Sequence, residues 1–385
     1  MRVAHVITRL IVGGAQENTV ATVFGLHRKA DVTVRLYSGP TTGPEGSLES
    51  GVRDIEGLLH LIPSLIRPVH PLRDFLAYCH LVREFKNFRP DIVHTHSGKA
   101  GLIGRLAAKR AGVPLIIHSI HGPSFGPFQG RIANALFSEA ERFAGSRTDH
   151  FITVANAMRD QYLAAGIGSR EDYTQIFSGF PLEPYLATEN APSIRKKLGL
   201  LNDDFVVGKI ARLFELKGHE DLFAVAPRLA KRVPNIRFLL VGDGVWRESF
   251  ERLAKRIGCE ENFVFTGLVP PTDIPSLVGV MDCLVHLSRR EGLPRALPQA
   301  MAAGKPVVAF DCDGAGEVCL DGETGALIHP GDLAKLEDSL VRLAKDEALR
   351  QSLGQSGQAF VKEKFTVERL VEDQYQLYQR LLAKR

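Results

Sequence analysis

Residues Glu291 to Asp311, EGLPRALPQAMAAGKPVVAFD, constrain this chain more than any other stretch. An acid in a loop precedes a helix that Pro294 opens and Gly304 closes, followed by the apolar strand Val307, Val308, Ala309, Phe310. Proline suits a first helical turn because its missing N–H has no intrahelical partner there. The amides of Arg295 and Ala296 are then left to point outward, an arrangement that binds anions. Gln299 stands eight positions after Glu291, at most roughly 12 Å further along a helical rise. One polar group on each side of a phosphate-binding helix start suits a grip on both ends of a sugar nucleotide.

Strand, loop and helix recur along the chain. Arg2 to Thr8 reads as a buried strand, with Gly13 and Gly14 in the loop before a helical run from Gln16 to His27. GGAQEN lacks GxGxxG spacing, which argues against a dinucleotide site. A glycine pair there either lets a phosphate or another domain approach the backbone or forms a tight turn. Leu72, Phe75, Leu76, Cys79, Val82 and Phe85 recur at helical spacing and predict a buried stripe. Asp91 to Thr95 is a strand ending in HTHSGKAG, and open α/β sheets bind ligands at such strand ends. His94, His96, Ser97 and Lys99 are therefore site candidates. No third ligand of fitting spacing accompanies the two histidines, so no metal is expected.

Leu115 to Ser119 leads into HSIHGPSFGPF, in which His118 reads as a strand residue, and Phe125 and Phe128 as an apolar wall or as core. In the second half, the strand Phe205 to Ala211 is followed by RLFELKGHEDL. Arg212 leaves the strand end, and Lys217 and Gly218 precede a helix, so two cations converge on one loop. Such a pair is either solvated, as surface Arg and Lys usually are, or a metal-free way to stabilise a departing diphosphate.

At 385 residues the chain has length for two cores. Its five cysteines form no CxxC pair and read as buried free thiols in a reducing compartment. MRVAHVITRLIVGG is too short an apolar run for a signal peptide, Arg9 interrupts it, and no run of about 18 apolar residues follows. A cytosolic protein is expected. Through position 185 there are 20 basic and 16 acidic residues, then 28 of each, and ten of the 13 histidines fall in the first part. The excess fits a solvated face, an anionic membrane surface or a phosphate-bearing acceptor. No repeat or low-complexity segment is present.

Four strings, HTHSGKAG, HSIHG, RLxxxKG and EGLPRALPQAMAAGKPVVA, resemble the family-4 glycosyltransferases of the GT-B fold. The resemblance implies an α/β protein of two Rossmann-like αβα domains facing across a cleft. Residues 1–182 would form the acceptor-side domain, 183–365 the nucleotide-sugar domain, and helix 366–385 would pack back on the first. It makes Ile176 to Pro181 the last strand of the first domain and the start of the linker. Transfer of a sugar from a nucleotide diphosphate to a hydroxyl, with retention, is implied, with UDP the expected nucleotide.

The resemblance also assigns roles. Glu291 contacts the donor sugar, Arg212 and Lys217 meet the diphosphate, and His121 reaches the sugar being transferred. Gly13, Gly14, Gly242, Leu268, Leu293, Arg295, Ala296 and Gln299 fall at donor positions. Gln299 stands where the family has a second glutamate, and keeps a hydrogen bond to ribose without its charge. HxHSxKAG tilts the acceptor towards a growing cell-surface glycan or a lipid-linked one, with peripheral association at the inner face of a membrane. No cofactor, metal or nucleic acid is expected. Asp311 and Asp313 imitate a DxD metal motif, but in this context they are read as loop residues. Two alternatives stay open: a sugar-nucleotide epimerase, which needs no acceptor, and a non-catalytic sugar-nucleotide-binding sensor or partner subunit.

Overall fold

Short β-branched and aliphatic runs buried on both faces become parallel strands here, and the intervening amphipathic runs become the helices that cover them. The computed structural model describes residues 1–41, 46–126 and 129–385. Its contacts divide the chain into two units, Met1–Phe180 with Thr366–Arg385, and Pro181–Phe365.

The first unit carries β1 (Arg2–Ile7), β2 (Thr33–Ser38), β3 (Leu59–Leu61), β4 (Ile92–His96), β5 (Leu115–Ile120), β6 (His150–Thr153) and β7 (Tyr173–Gln175). All pair in parallel in the order β3-β2-β1-β4-β5-β6-β7. Helices Gly14–His27 and Val367–Leu382 pack against each other over one face, with Val3, Ile7, Leu370 and Tyr378 in one core. Helices Pro71–Phe88 and Gly98–Ala111 cover the other, with Ala4, Val6, Leu81 and Phe85.

The second unit repeats the plan with β8 (Phe205–Ile210), β9 (Ile236–Val241), β10 (Phe263–Gly267), β11 (Cys283–His286), β12 (Val307–Phe310) and β13 (Gly325–Ile328). Their order is β10-β9-β8-β11-β12-β13. In each sheet the order reverses once, between β1 and β4 and between β8 and β11. Loops that leave the carboxyl ends of those strands part in opposite directions and open a crevice.

Three expectations change. The stripe Leu72, Phe75, Leu76 and Cys79 faces outward, with Leu72 64% exposed, Phe75 61% and Leu76 50%. Helix Pro71–Phe88 buries Ala77, Leu81, Phe85 and Phe88 instead. Position 77 lies two residues, about 200°, from position 75, and its small side chain suits the close approach of helix Gly98–Ala111. The last strand of the first unit is Tyr173–Gln175, and Ile176 to Pro181 continues as irregular backbone. The helix after Glu291 begins at Ala296, with Arg295 as N-cap. Pro298, not Pro294, occupies its first turn, where no N–H is needed, while the Pro294 carbonyl accepts the Leu297 amide in a preceding turn.

Of the cysteines, Cys259, Cys283 and Cys319 are buried, Cys312 is partly so and Cys79 is exposed; all are free.

Candidate active site

In the second unit the crevice lies between the loops after β8 and β11. The first loop, 211–218, ends at helix His219–Arg232, and Gly218 is its N-cap with φ 65°. A Cβ there would overlap the Leu287 carbonyl at the end of β11. Only glycine allows both the left-handed backbone and that approach, so the KG of RLxxxKG brings Lys217 beside the neighbouring loop.

Lys217 Nζ donates to Glu291 Oε1 in an ion pair, each side chain roughly a fifth exposed. Ser288 Oγ donates to the same oxygen at 3.0 Å, and His286 Nε2 lies 3.7 Å from it. The Glu291 amide donates to Asp313 Oδ2 at 2.7 Å, so the second member of the apparent DxD sets the backbone of the acid. Burial pushes the Glu291 carboxyl up, but His286, Lys217 and the Ser288 hydroxyl outweigh it and hold the group below its usual range. His286 is driven down to about 4 by burial, so its ring is neutral near pH 7. Beneath the pair, Lys209 is buried and lowered to about 7, first by burial and then by Lys217. Arg289 Nη2 donates to both Asp221 oxygens at 2.7 and 2.8 Å, tying this loop to the start of helix His219–Arg232.

Arg212 shares the loop with Lys217 but has other neighbours. It is exposed, its guanidinium lies 5.8 Å from the Phe214 ring centre, and its carbonyl faces His219 Nε2 at 3.0 Å. Gly242, φ 135°, has a packing reason, since a Cβ would meet the Ala211 carbonyl. That close approach lets the Leu213 amide reach the Asp243 carbonyl at 3.0 Å. Leu268 is 75% exposed, whereas Leu293 and Ala296 are buried. Burial takes the Arg295 guanidinium down to about 10. Gln299 hydrogen-bonds the Tyr185 hydroxyl, whose pKa burial raises to about 12 despite that bond.

In the first unit imidazoles are buried beneath the crevice between β1 and β4. The register sets His5 opposite His94, and period-2 alternation puts His96 on the same face. His5 Nδ1 lies 2.9 Å from His96 Nε2, and His96 Nδ1 lies 3.1 Å from His121 Nε2. His94 is held at both nitrogens, by Tyr378 Oη at 2.5 Å and Ser119 Oγ at 2.7 Å. Burial keeps all four rings neutral at pH 7, with His5 lowered to about 3, His121 to about 4, and His94 and His96 well below their usual range. His94 and His96 are essentially inaccessible. They stand behind His121, out of reach of solvent.

His5 is the third histidine that the sequence spacing did not show, and the three rings bring ligand nitrogens within 4.8 Å of one another. Both nitrogens of His94 and of His96 are already engaged, by Tyr378, Ser119, His5 and His121, whereas His5 Nε2 is buried with no hydrogen-bond partner, so the set reads as a hydrogen-bond network with one open nitrogen. Ser97, φ 66°, caps helix Gly98–Ala111. Lys99 pairs with Asp74 at 2.5 Å and donates to the Pro68 carbonyl. Gly13 and Gly14 start helix Gly14–His27, with the Gly13 carbonyl accepting the Glu17 amide at 2.9 Å. His118 points to the opposite face, 2.9 Å from Thr95 Oγ1. Phe125 is core, packed against Tyr162, and Phe128 lies outside the described residues.

Sequence reading missed His5, His286, Lys209 and Tyr378. Polar residues inside otherwise apolar strands, His5 in RVAHVI and His286 in CLVH, were the available signal.

Two doubly wound sheets joined in one chain, with an acid–lysine pair at the reversal point of the second, define the GT-B class of glycosyltransferase. Residues 12–183 match the model "Glycosyltransferase Family 4" and residues 190–360 the model "Glycosyl transferases group 1". The chain belongs to that family. It is 26% identical over 356 residues to a UDP-Gal:α-D-GlcNAc-diphosphoundecaprenol α-1,3-galactosyltransferase of Escherichia coli, covering 91% of this chain and 89% of the relative. It is 29% identical over 327 residues to the putative glycosyltransferase EpsD of Bacillus subtilis, covering 82% and 83%. HepE of Anabaena, solved in complex with UDP, superposes with TM-score 0.82 at 23% identity over 99% of this chain and 100% of that one. Sucrose-phosphate synthase of Thermosynechococcus elongatus does so with TM-score 0.80 at 19% identity over the whole of both. Among the described residues no helix is long and apolar enough to cross a membrane.

Proposed function

We propose that this glycosyltransferase moves a sugar from a UDP-sugar to a hydroxyl of a growing cell-surface glycan or lipid-linked acceptor, with retention and without a divalent ion. The observation that carries the reading is the Lys217–Glu291 pair at the reversal point of the second sheet. A carboxylate held ionised accepts hydrogen bonds from donor-sugar hydroxyls, and the lysine beside it meets the phosphate end of the same donor. The galactosyltransferase relative named for UDP-Gal and a diphosphoundecaprenol acceptor, and the UDP-bound HepE, support the choice of nucleotide and of acceptor class.

In this reading the bond between the anomeric carbon and the diphosphate oxygen breaks, and its electron pair leaves with UDP. Lys217 and Arg212 meet the charge that develops there. The acceptor oxygen bonds the anomeric carbon from the same face, and its proton passes to the departing phosphate oxygen. Gln299, braced by Tyr185, holds the ribose, and His121, backed by His96 and His5, orients the transferred sugar.

Release of UDP, GDP or ADP from a panel of sugar nucleotides, with proton NMR of the product's anomeric centre, tests this. GDP- or ADP-sugar turnover in preference to UDP-sugar, or an inverted product, would sink it. Interconversion of a UDP-sugar with no acceptor present would favour an epimerase.

A further inference from the structure

The first unit contains a cavity of about 960 Å³, at the upper end of the range for small-molecule sites. Much of its wall is apolar, from Leu102 and Ile103 on helix Gly98–Ala111 and from Leu136, Phe137 and Ala140 on helix Arg131–Gly145. The rest carries Arg67, Lys99 and His121. Both acids on the wall are ion-paired, Asp74 with Lys99 and Glu141 with Arg105. Arg67, Lys99 and Arg105 against Asp74 and Glu141 leave one cation in excess.

The mouth is unusual for a water-soluble surface. Val69 is 77% exposed, Leu136 66% and Phe137 43%, and all three also line the cavity. Leu72, Phe75 and Leu76 follow Val69 on the outward face of helix Pro71–Phe88, and Ile132, 80% exposed, precedes Leu136 by one helical turn. Exposed apolar side chains gathered around an apolar cavity mark a contact with a nonpolar phase, not scattered surface residues.

We propose that this cavity holds the proximal part of the isoprenoid chain of a lipid-diphosphate-linked acceptor, with the diphosphate at the Arg67–Lys99 wall, and the rim of Val69, Leu136 and Phe137, with the neighbouring Leu72, Phe75, Leu76 and Ile132, against the bilayer. The occupant must be apolar along most of its length, anionic at one end and continuous with a nonpolar phase at the other. An isoprenyl diphosphate meets all three conditions, whereas a free glycan lacks both the apolar length and the end in a nonpolar phase. The proposal rests on the acceptor half of the function proposed above and chooses the lipid-linked form. The rim then explains why a helix with two apolar stripes leaves one unburied.

Direct binding separates this from the catalytic reading. The full chain is titrated with farnesyl diphosphate and with inorganic diphosphate, and the farnesyl form is expected to bind at least about tenfold more tightly. Ala140→Trp, which fills the cavity from its apolar wall, should abolish that advantage and leave inorganic diphosphate binding unchanged. Leu136→Asn at the mouth, already exposed and safe for folding, should reduce it. Equal affinity for the two probes, as expected if the surface docks a protein helix, overturns the proposal. So does an advantage that survives Ala140→Trp. If the farnesyl advantage holds but no UDP-sugar is turned over on any acceptor, the catalytic reading fails and the cavity assignment stands. If a lipid-linked acceptor is glycosylated but the two probes bind alike, only the cavity assignment fails.

Discussion

Replacing Lys217 by methionine keeps the length of the side chain and removes its charge. The pair it forms with Glu291 is neither exposed nor sealed, with side chains 21% and 23% accessible. Exposed pairs contribute about 0–1 kcal/mol and breaking a buried pair costs about 3–5 kcal/mol, so the loss here should be about 2 kcal/mol. In a unit spanning residues 181–365 that is a fall of roughly 4–8 °C in its melting temperature. Turnover should fall much further, about 10²- to 10³-fold, because a cation aimed at a developing diphosphate charge acts mostly in the transition state. The deficit in stability should also depend on pH. Lys217 helps hold the Glu291 carboxyl below 4.5 against the upward push of burial, so the wild-type gains stability from it above that value and loses the gain as pH falls through the lowered folded pKa. In the variant the buried carboxyl takes up its proton at higher pH, and the difference between the two proteins should shrink in acid. Adding Glu291→Gln to the variant removes the unpaired carboxylate and should restore most of the melting temperature but none of the turnover. UDP release at saturating donor, and thermal unfolding at pH 7 and pH 4, decide the matter. Turnover within about threefold of wild-type would remove Lys217 from the chemistry, and a double variant no more stable than the single would refute the electrostatic account.

Gly218→Ala should cost more than about 3 kcal/mol, from a φ of 65° and overlap with the Leu287 carbonyl. Gly199→Ala, at φ 71° with open space around it, should cost only about 1 kcal/mol; similar urea midpoints for the two would show that the close approach does not matter. Buried histidines make the fold acid-sensitive. His5 and His219 are lowered to about 3, and His121 and His286 to about 4, chiefly by burial. Below the ordinary value of 6.5 the unfolded chain takes up protons that these rings refuse, so each removes about 1.4 kcal/mol of stability per pH unit until its folded pKa is reached. His5→Asn should lessen the drop between pH 6.5 and pH 4 by one proton's worth in urea titrations, and an unchanged drop would mean that the ring is not buried neutral. EDTA should leave turnover unaffected, whereas loss of activity restored by manganese would contradict a diphosphate site built on Lys217 and Arg212. Gln299→Glu, which gives Tyr185 and the ribose a charged acceptor, should lower the donor KM several-fold with little change in kcat; a raised KM would place the ribose elsewhere.

What the chain discloses before folding depends on how locally each feature is encoded. RLxxxKG and the run from Glu291 each lie within one strand-loop-helix segment. Gly218, Lys217, Glu291 and Gln299 could therefore be picked out without knowing which strands are neighbours. The details that failed there were also local. Pro294 and Pro298 both suit the start of a helix, and only the turn closed by the Pro294 carbonyl gives the first-turn position to Pro298.

The imidazole cluster is encoded differently. His5 belongs to β1 and His94 to β4, and they meet because the sheet order reverses between those strands. Tyr378 reaches His94 from a helix near the end of the chain. Spacing along the sequence carries no information about such contacts, so the absence of a nearby third histidine was no argument against a three-histidine cluster. Helix Pro71–Phe88 shows the same limit for packing. Both of its faces are apolar enough to be core, and the buried one is set by a neighbour, helix Gly98–Ala111, that accepts Ala77 at close range. Periodicity identifies the helix; only the contact surface of its neighbour decides which stripe is left over. A left-over stripe of Leu72, Phe75 and Leu76 beside an apolar cavity then becomes evidence about the acceptor, which the same residues could not supply while they were counted as core.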